Sequence, residues 1–143
     1  LHIQDSALIE KWGYNSKNIG VLTEQLLGEQ CTYQLLNGTD MLITDYSSVY
    51  FDYLLLNKPI IFTNRDEEEY IKNRGVILEP LDFWRPGAIV DNMEGLRKEI
   101  ILAISGKDRY KDRRKELMPF VHKFTDGKST QRLFDFIRSN DNA

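Results

Sequence analysis

The sequence predicts an α/β fold: a Rossmann-like parallel sheet wound by right-handed crossovers, with helices on both faces. Two observations carry this. Met41-Leu42-Ile43-Thr44 and Pro59-Ile60-Ile61-Phe62 are short and apolar on consecutive residues, as strands buried on both faces must be. Helical segments stand between such runs, joined by short connections, which is the order of a parallel sheet.

Taken in chain order, Ser6 to Trp12 reads as a helix closed by Gly13, a residue suited to a C-cap. Asn18 to Thr23, with Ile19, Val21 and Leu22, is a strand candidate. Gln30 to Asn37 is a helix ending at Gly38. The strand at Met41 ends on Asp45, and Val49 to Leu56 follows as a helix, apolar on nearly every side apart from Asp52 and so expected to be buried and rigid. The next strand ends at Thr63-Asn64. Asp66 to Arg74 is a helix stopped by Gly75, with acidic residues in its first turn, where they suit the dipole; most of that acidic run is expected to be solvated. Leu78 to Gly87 contains Pro80, Pro86 and Gly87 and reads as an irregular loop, and Ile89-Val90 as a very short fourth strand.

From about residue 92 the pattern turns helical. Asn92 to Ile104 has Leu96, Ile100, Ile101 and Ile104 at helical spacing. Lys107 to Phe120 is a second helix with Tyr110, Leu117 and Phe120 apolar. Ser129 N-caps a last helix that has Leu133, Phe134, Phe136 and Ile137 to bury.

With 143 residues, one domain is expected over residues 1–143. At 41% hydrophobic and 29% charged residues, the chain is neither disordered nor collagenous. No run approaches the roughly 18 apolar residues of a membrane span. Cys31 is the only cysteine and cannot form an internal disulfide, which fits a reducing compartment. No basic segment followed by an apolar stretch marks a signal peptide. The chain opens on Leu1 rather than Met, and it is expected to be a piece of a longer protein. Its net charge of −3 hides a split: residues 1–96 carry 7 basic and 15 acidic side chains, residues 97–138 carry 12 and 6. A basic C-terminal face that meets something anionic competes with a merely solvated helix surface.

In a doubly wound sheet, ligands bind beyond the carboxyl ends of the strands. Thr44-Asp45-Tyr46-Ser47-Ser48 is one such end: a strand runs into a polar turn, and a helix starts at once with its free amides facing the crevice. Small hydroxyl residues there cap a helix or hydrogen-bond a phosphate. The turn is not a Walker loop, since it lacks the glycines and the lysine. A phospho-acceptor receiver reading fails as well. Asp5 and Glu10 are not an adjacent acidic pair at a strand end, and Lys58 precedes its strand. His122, beside Lys123 near a helix end, is accounted for by the dipole or by plain exposure. No His, Cys, Asp or Glu spacing points to a metal, and no cofactor is expected. The basic stretch Lys107, Arg109, Lys111, Arg113, Arg114, Lys115 lacks the aromatic interleaving of a single-strand nucleic-acid binder, so no nucleic acid is expected.

The block Thr44-Asp45-Tyr46-Ser47-Ser48-Val49-Tyr50-Phe51-Asp52-Tyr53, followed by Lys58-Pro59-Ile60-Ile61-Phe62, resembles the CDP-glycerol glycerophosphotransferase family of teichoic acid and capsule polymer transferases. The likeness continues through Asp66-Glu67-Glu68-Glu69-Tyr70, Arg74-Gly75, Pro86-Gly87 and Asp126-Gly127-Lys128-Ser129 with Arg132. It implies a glycosyltransferase-B-like enzyme of two Rossmann-like domains, this chain being most of the C-terminal, nucleotide-binding one. The implied reaction transfers glycerol phosphate from CDP-glycerol to a growing polyol-phosphate polymer, the chain alone being inactive without the N-terminal domain. CDP-ribitol as donor, a sugar-nucleotide glycosyltransferase and a binding-only module are the alternatives.

The resemblance also assigns residues. His2 matches the family's catalytic His, although Ile3 replaces the proline that follows it there; its work would be general-base help or charge stabilisation. Thr44, Ser47 and Ser48 match positions near the donor pyrophosphate. Asp45 either contacts ligand or orients the turn through its own backbone. Arg85 and Gly87 match a loop near the donor, the arginine adding charge to the phosphates and the glycine letting backbone approach a ligand. The family implies a cytoplasmic enzyme held peripherally on the inner membrane face, with anionic lipid met through Lys107 to Lys115.

Overall fold

The computed structural model describes residues 17, 18, 20, 32–75 and 77–140. Two compact units divide the chain, residues 1–38 and 39–143. In the first, helix α1 (Thr32–Leu36) is followed by Gly38, whose amide donates to the Leu35 carbonyl at 3.0 Å. His2, the helix expected from Ser6 and nearly all of the strand expected from Asn18 lie outside the described residues.

The second unit is built on strands β1 (Leu42–Thr44), β2 (Ile60–Thr63) and β3 (Ala88–Val90). They form a parallel sheet in the order β1-β2-β3, with Thr44 opposite Phe62 and Phe62 opposite Ile89. Because side chains alternate along a strand, this register sorts them cleanly onto two faces. Ile61, Ala88 and Val90 point to one face and pack under Leu96 and Ile100 of helix α5 (Met93–Ile104). Ile60 and Phe62 point to the other, where Phe62 meets the Tyr50 ring edge-on at 5.1 Å from helix α2 (Val49–Tyr53). β2, between two partners, is buried at Ile60, Ile61 and Phe62, which is why it reads as an uninterrupted apolar run.

The remaining elements of this unit are α3 (Glu67–Arg74), α4 (Leu81–Trp84), α6 (Lys111–Val121) and α7 (Ser129–Asn140). Helix α2 is five residues long and runs into a 3₁₀ turn, Leu54–Leu56. Tyr53 and Leu54 are fully buried, so the expected buried segment is present as two short pieces. Asn57 then reverses the chain in the left-handed region at φ 47°, which asparagine tolerates.

Several expectations are corrected. Leu78 to Gly87 is not wholly irregular, since α4 forms one turn inside it. The helix expected from Lys107 starts at Lys111, because the Asp108 carboxylate accepts from the Tyr110 amide at 3.1 Å and holds a turn there. Ser129 is the first helical residue of α7 rather than its cap. The Lys128 carbonyl accepts the first helical bond from Arg132, and Asp126 accepts from the Lys128 amide. Leu117 is buried, but Phe120, Leu133, Phe134, Phe136 and Ile137 are exposed. Phe120 still meets the Phe83 ring edge-on at 5.5 Å. Among the described residues no helix is long and apolar enough to cross a membrane.

Candidate functional site

A cleft of about 220 Å³ opens beside the carboxyl end of β1, on the α2 face of the sheet. Most of its walls come from three places, with Phe62, Gly75, Ile77, Leu78 and Leu81 completing the lining. Asp45, Tyr46 and Ser48 follow β1; Tyr50 and Phe51 belong to α2; Tyr70 of α3, with Trp84 and Arg85 at the end of α4, closes the far side. Aromatic contacts tie these together: Trp84 meets Phe51 edge-on at 6.4 Å, and Tyr46 stacks on Tyr70 at 3.8 Å and 13°.

The turn after β1 is set by Asp45, whose carboxylate accepts from the Ser47 amide at 3.1 Å. This is the self-orienting role, an Asx turn. Ser48 stands at the N-cap of α2 but has helical φ −67° and ψ −7°, and its hydroxyl makes no cap hydrogen bond. The expected hydroxyl cap is therefore absent: a cap side chain reaches its amide from an extended backbone, which Ser48 does not have. Thr44 is buried in the sheet and Ser47 is exposed, and neither lines the cleft.

Arg85 is not the surface cation that a loop position suggests. Its side chain is 8% exposed and pairs with Glu67, Nη1 to Oε2 at 2.6 Å, and with Asp82 at 3.3 Å. A second, longer bond runs from Nη2 to Glu67 Oε1 at 3.4 Å, so the carboxylate addresses both terminal nitrogens. Asn64 Nδ2 also donates to Glu67 Oε2. The Arg85 hydrogen bond and charge hold the Glu67 carboxyl below the usual carboxylate range. Most of the acidic run is solvated as expected, Asp66, Glu68 and Glu69 being exposed, but Glu67 is spent on Arg85, and Asp66 accepts from the Tyr46 hydroxyl at 3.1 Å. Burial and that bond push the Tyr46 phenol up to about 12. Burial raises Tyr50 to about 12 as well.

Gly87 has a packing role that needs no ligand. A Cβ there would overlap the Ile60 carbonyl and stand 3.0 Å from the Phe62 ring. The cleft thus brings together Asp45, Ser48 and Arg85 of the expected residues, and leaves Thr44, Ser47 and Gly87 aside. Sequence reasoning missed its aromatic lining. Tyr46, Tyr50 and Tyr70 all stood inside the quoted motif blocks, and that was the available signal.

The C-terminal basic stretch is largely used internally. Arg114 is fully buried, donating to Asp108 and, through Nε and Nη2, to Asn57 Oδ1 and O at 3.2 Å. Arg113 lies over the Phe83 ring at 4.9 Å, and Arg109 and Lys115 pair with Glu99 and Asp112. His122 is neither free nor merely dipolar, its Nε2 standing 2.7 Å from the Phe51 carbonyl. Among the described residues no His, Cys, Asp or Glu group could hold a metal.

The chain is 38% identical over 107 residues to the teichoic acid poly(ribitol-phosphate) polymerase of Bacillus spizizenii, covering 73% of the chain and 16% of that protein. It is 37% identical over 109 residues to the teichoic acid glycerol-phosphate primase of Bacillus subtilis, covering 75% and 26%. The solved wall teichoic acid polymerase TagF, in a variant soaked with CDPG, superposes with a TM-score of 0.74 at 28% identity, over 97% of this chain and 33% of that one. The chain thus spans about a sixth to a third of the length of these relatives. Residues 17–139 match the family described as CDP-Glycerol:Poly(glycerophosphate) glycerophosphotransferase, and the chain belongs to that family.

Proposed function

We infer that this chain supplies the donor-binding part of a polyol-phosphate transferase that builds teichoic-acid-like or capsular polymer. The donor is CDP-glycerol, the acceptor a growing polyol-phosphate chain, and the pyrophosphate lies by Asp45 and Ser48 with Arg85 in reach. One observation carries this reading: a cleft at the carboxyl end of a parallel strand, lined by aromatic rings and one guanidinium. Aromatic faces suit a nucleobase and the guanidinium suits phosphate oxygens. Thr44, Ser47 and Gly87 support the site from its margin. His2 would assist the reacting hydroxyl as a general base or stabilise charge, and turnover would require the rest of a longer, glycosyltransferase-B-like protein. Its place would be the cytoplasmic membrane face. An anionic surface contact through Lys107 to Lys115 would rest mainly on Lys107 and Lys111.

CDP-ribitol is the second reading, favoured by the 38% identity to a ribitol-phosphate polymerase. Titrating the chain with CDP-glycerol and CDP-ribitol, with backbone amide shifts as readout, tests both. Saturable shifts at Asp45, Ser48 and Arg85 are expected, and the tighter ligand identifies the donor. Absence of binding, or shifts confined to other regions, overturns the reading.

A further inference from the structure

Arg85 is placed where a ligand anion would need it, yet its position is not secured by its own loop. The residue follows a one-turn helix and precedes β3. Its guanidinium is fixed instead by Glu67, in the first turn of α3, through both terminal nitrogens. Glu67 is itself held by Asn64, the residue directly after β2. A chain of contacts therefore runs from the sheet through Asn64 and Glu67 to the cleft wall. Arg85 Nε is buried without a hydrogen-bond partner, as is Asn64 Oδ1. A buried donor left unmade is costly, so the guanidinium sits where its terminal contacts to Glu67, rather than Nε, fix it. A planar fork gripped along its terminal edge has its direction defined, and phosphate recognition by arginine depends on that direction.

We propose that Glu67 is a positioning residue for the donor site: it orients Arg85 in the cleft wall so that the guanidinium meets an anionic oxygen of the ligand. This rests on the cleft being the donor site. Asp82 cannot substitute, because it reaches one terminal nitrogen at 3.3 Å and its own side chain is 88% exposed. Solvent screens such a contact and leaves it weak.

The test is calorimetry on the chain with CDP-glycerol and CMP, and ligand-observed NMR with cytidine, which has no phosphate. The variants are Glu67→Gln, Arg85→Gln and the double variant. Glu67→Gln keeps the side-chain shape and an acceptor oxygen, and thermal melts verify that it folds. Glu67→Gln should lower CDP-glycerol and CMP affinity about 5- to 20-fold, leaving cytidine binding unchanged. Arg85→Gln should lose at least as much, and the double variant should bind no worse than Arg85→Gln, since Glu67 acts through the arginine. A merely structural role would weaken cytidine equally or make the two losses multiply, and either result overturns the proposal. Unchanged CDP-glycerol affinity in a folded Glu67→Gln protein overturns it alone. Failure of the wild-type chain to bind CDP-glycerol overturns the donor-cleft reading beneath it.

Discussion

Gly87 lies against Ile60 with no room for a side chain: a Cβ there would overlap the Ile60 carbonyl oxygen and stand 2.9 Å from its carbon. Both residues are buried, and β3 begins at the next position. The obstructing atoms are backbone of the central strand, which cannot step aside without breaking its ladder. Gly87→Ala should therefore cost about 1–3 kcal/mol by overpacking, read as a shift in urea midpoint. Wild-type stability would mean the α4–β3 junction moves freely.

Ser48→Ala should leave stability within about 0.5 kcal/mol of wild type, because the hydroxyl caps nothing. If the same variant weakens CDP-glycerol binding, the hydroxyl meets the ligand. A melting-temperature drop of several degrees would restore the capping role and contradict the observed geometry.

Arg114 separates two explanations for the basic C-terminal third. Arg114→Met leaves the Asp108 carboxylate, 17% exposed, without its main partner and should cost ~3–5 kcal/mol. Lys115→Glu, on an exposed position, should change stability by less than about 0.5 kcal/mol. Chemical denaturation of both variants checks this. Equal, small effects would return Arg114 to the surface.

Asp108 also carries an acid dependence. Burial alone would raise its carboxyl, but hydrogen bonds from Arg114 and the Tyr110 amide bring it below the ordinary value. A depressed folded-state value means the pair contributes stability above the unfolded value of about 3.9, lost as pH falls through the lower folded one. Melts at decreasing pH should steepen below about pH 4 in wild type and less so in Asp108→Asn. Parallel curves would remove Asp108 as the source.

Tyr46 and Tyr50 should ionise near 12, above the ordinary value of about 10. Folded-state values raised in this way mean that the neutral phenols contribute stability below pH ~10, lost as pH rises toward the folded value. Phenolate absorbance should show late-ionising tyrosines, one of which disappears in Tyr50→Phe. A single transition near pH 10 would contradict the buried cleft wall.

The sequence by itself determined the elements that depend on near neighbours. The apolar run at Ile60-Ile61-Phe62 reads as a strand covered on both faces, and Gly75 ends its helix at φ 73°, where glycine is favoured. Asp45 set its own turn from two residues away. The family was legible from the block around Tyr46. What the tertiary structure decided is which distant side chains meet. Glu67 and Arg85, Tyr46 and Asp66, or Arg114 and Asn57 are brought together by strand register and helix placement, and no local pattern encodes either. The same holds for exposure: Arg114 sits in a basic run that reads as solvated, yet it is buried, while the apolar stripe of α7 faces outward. Burial is a property of what packs opposite a residue, and only the tertiary fold defines that.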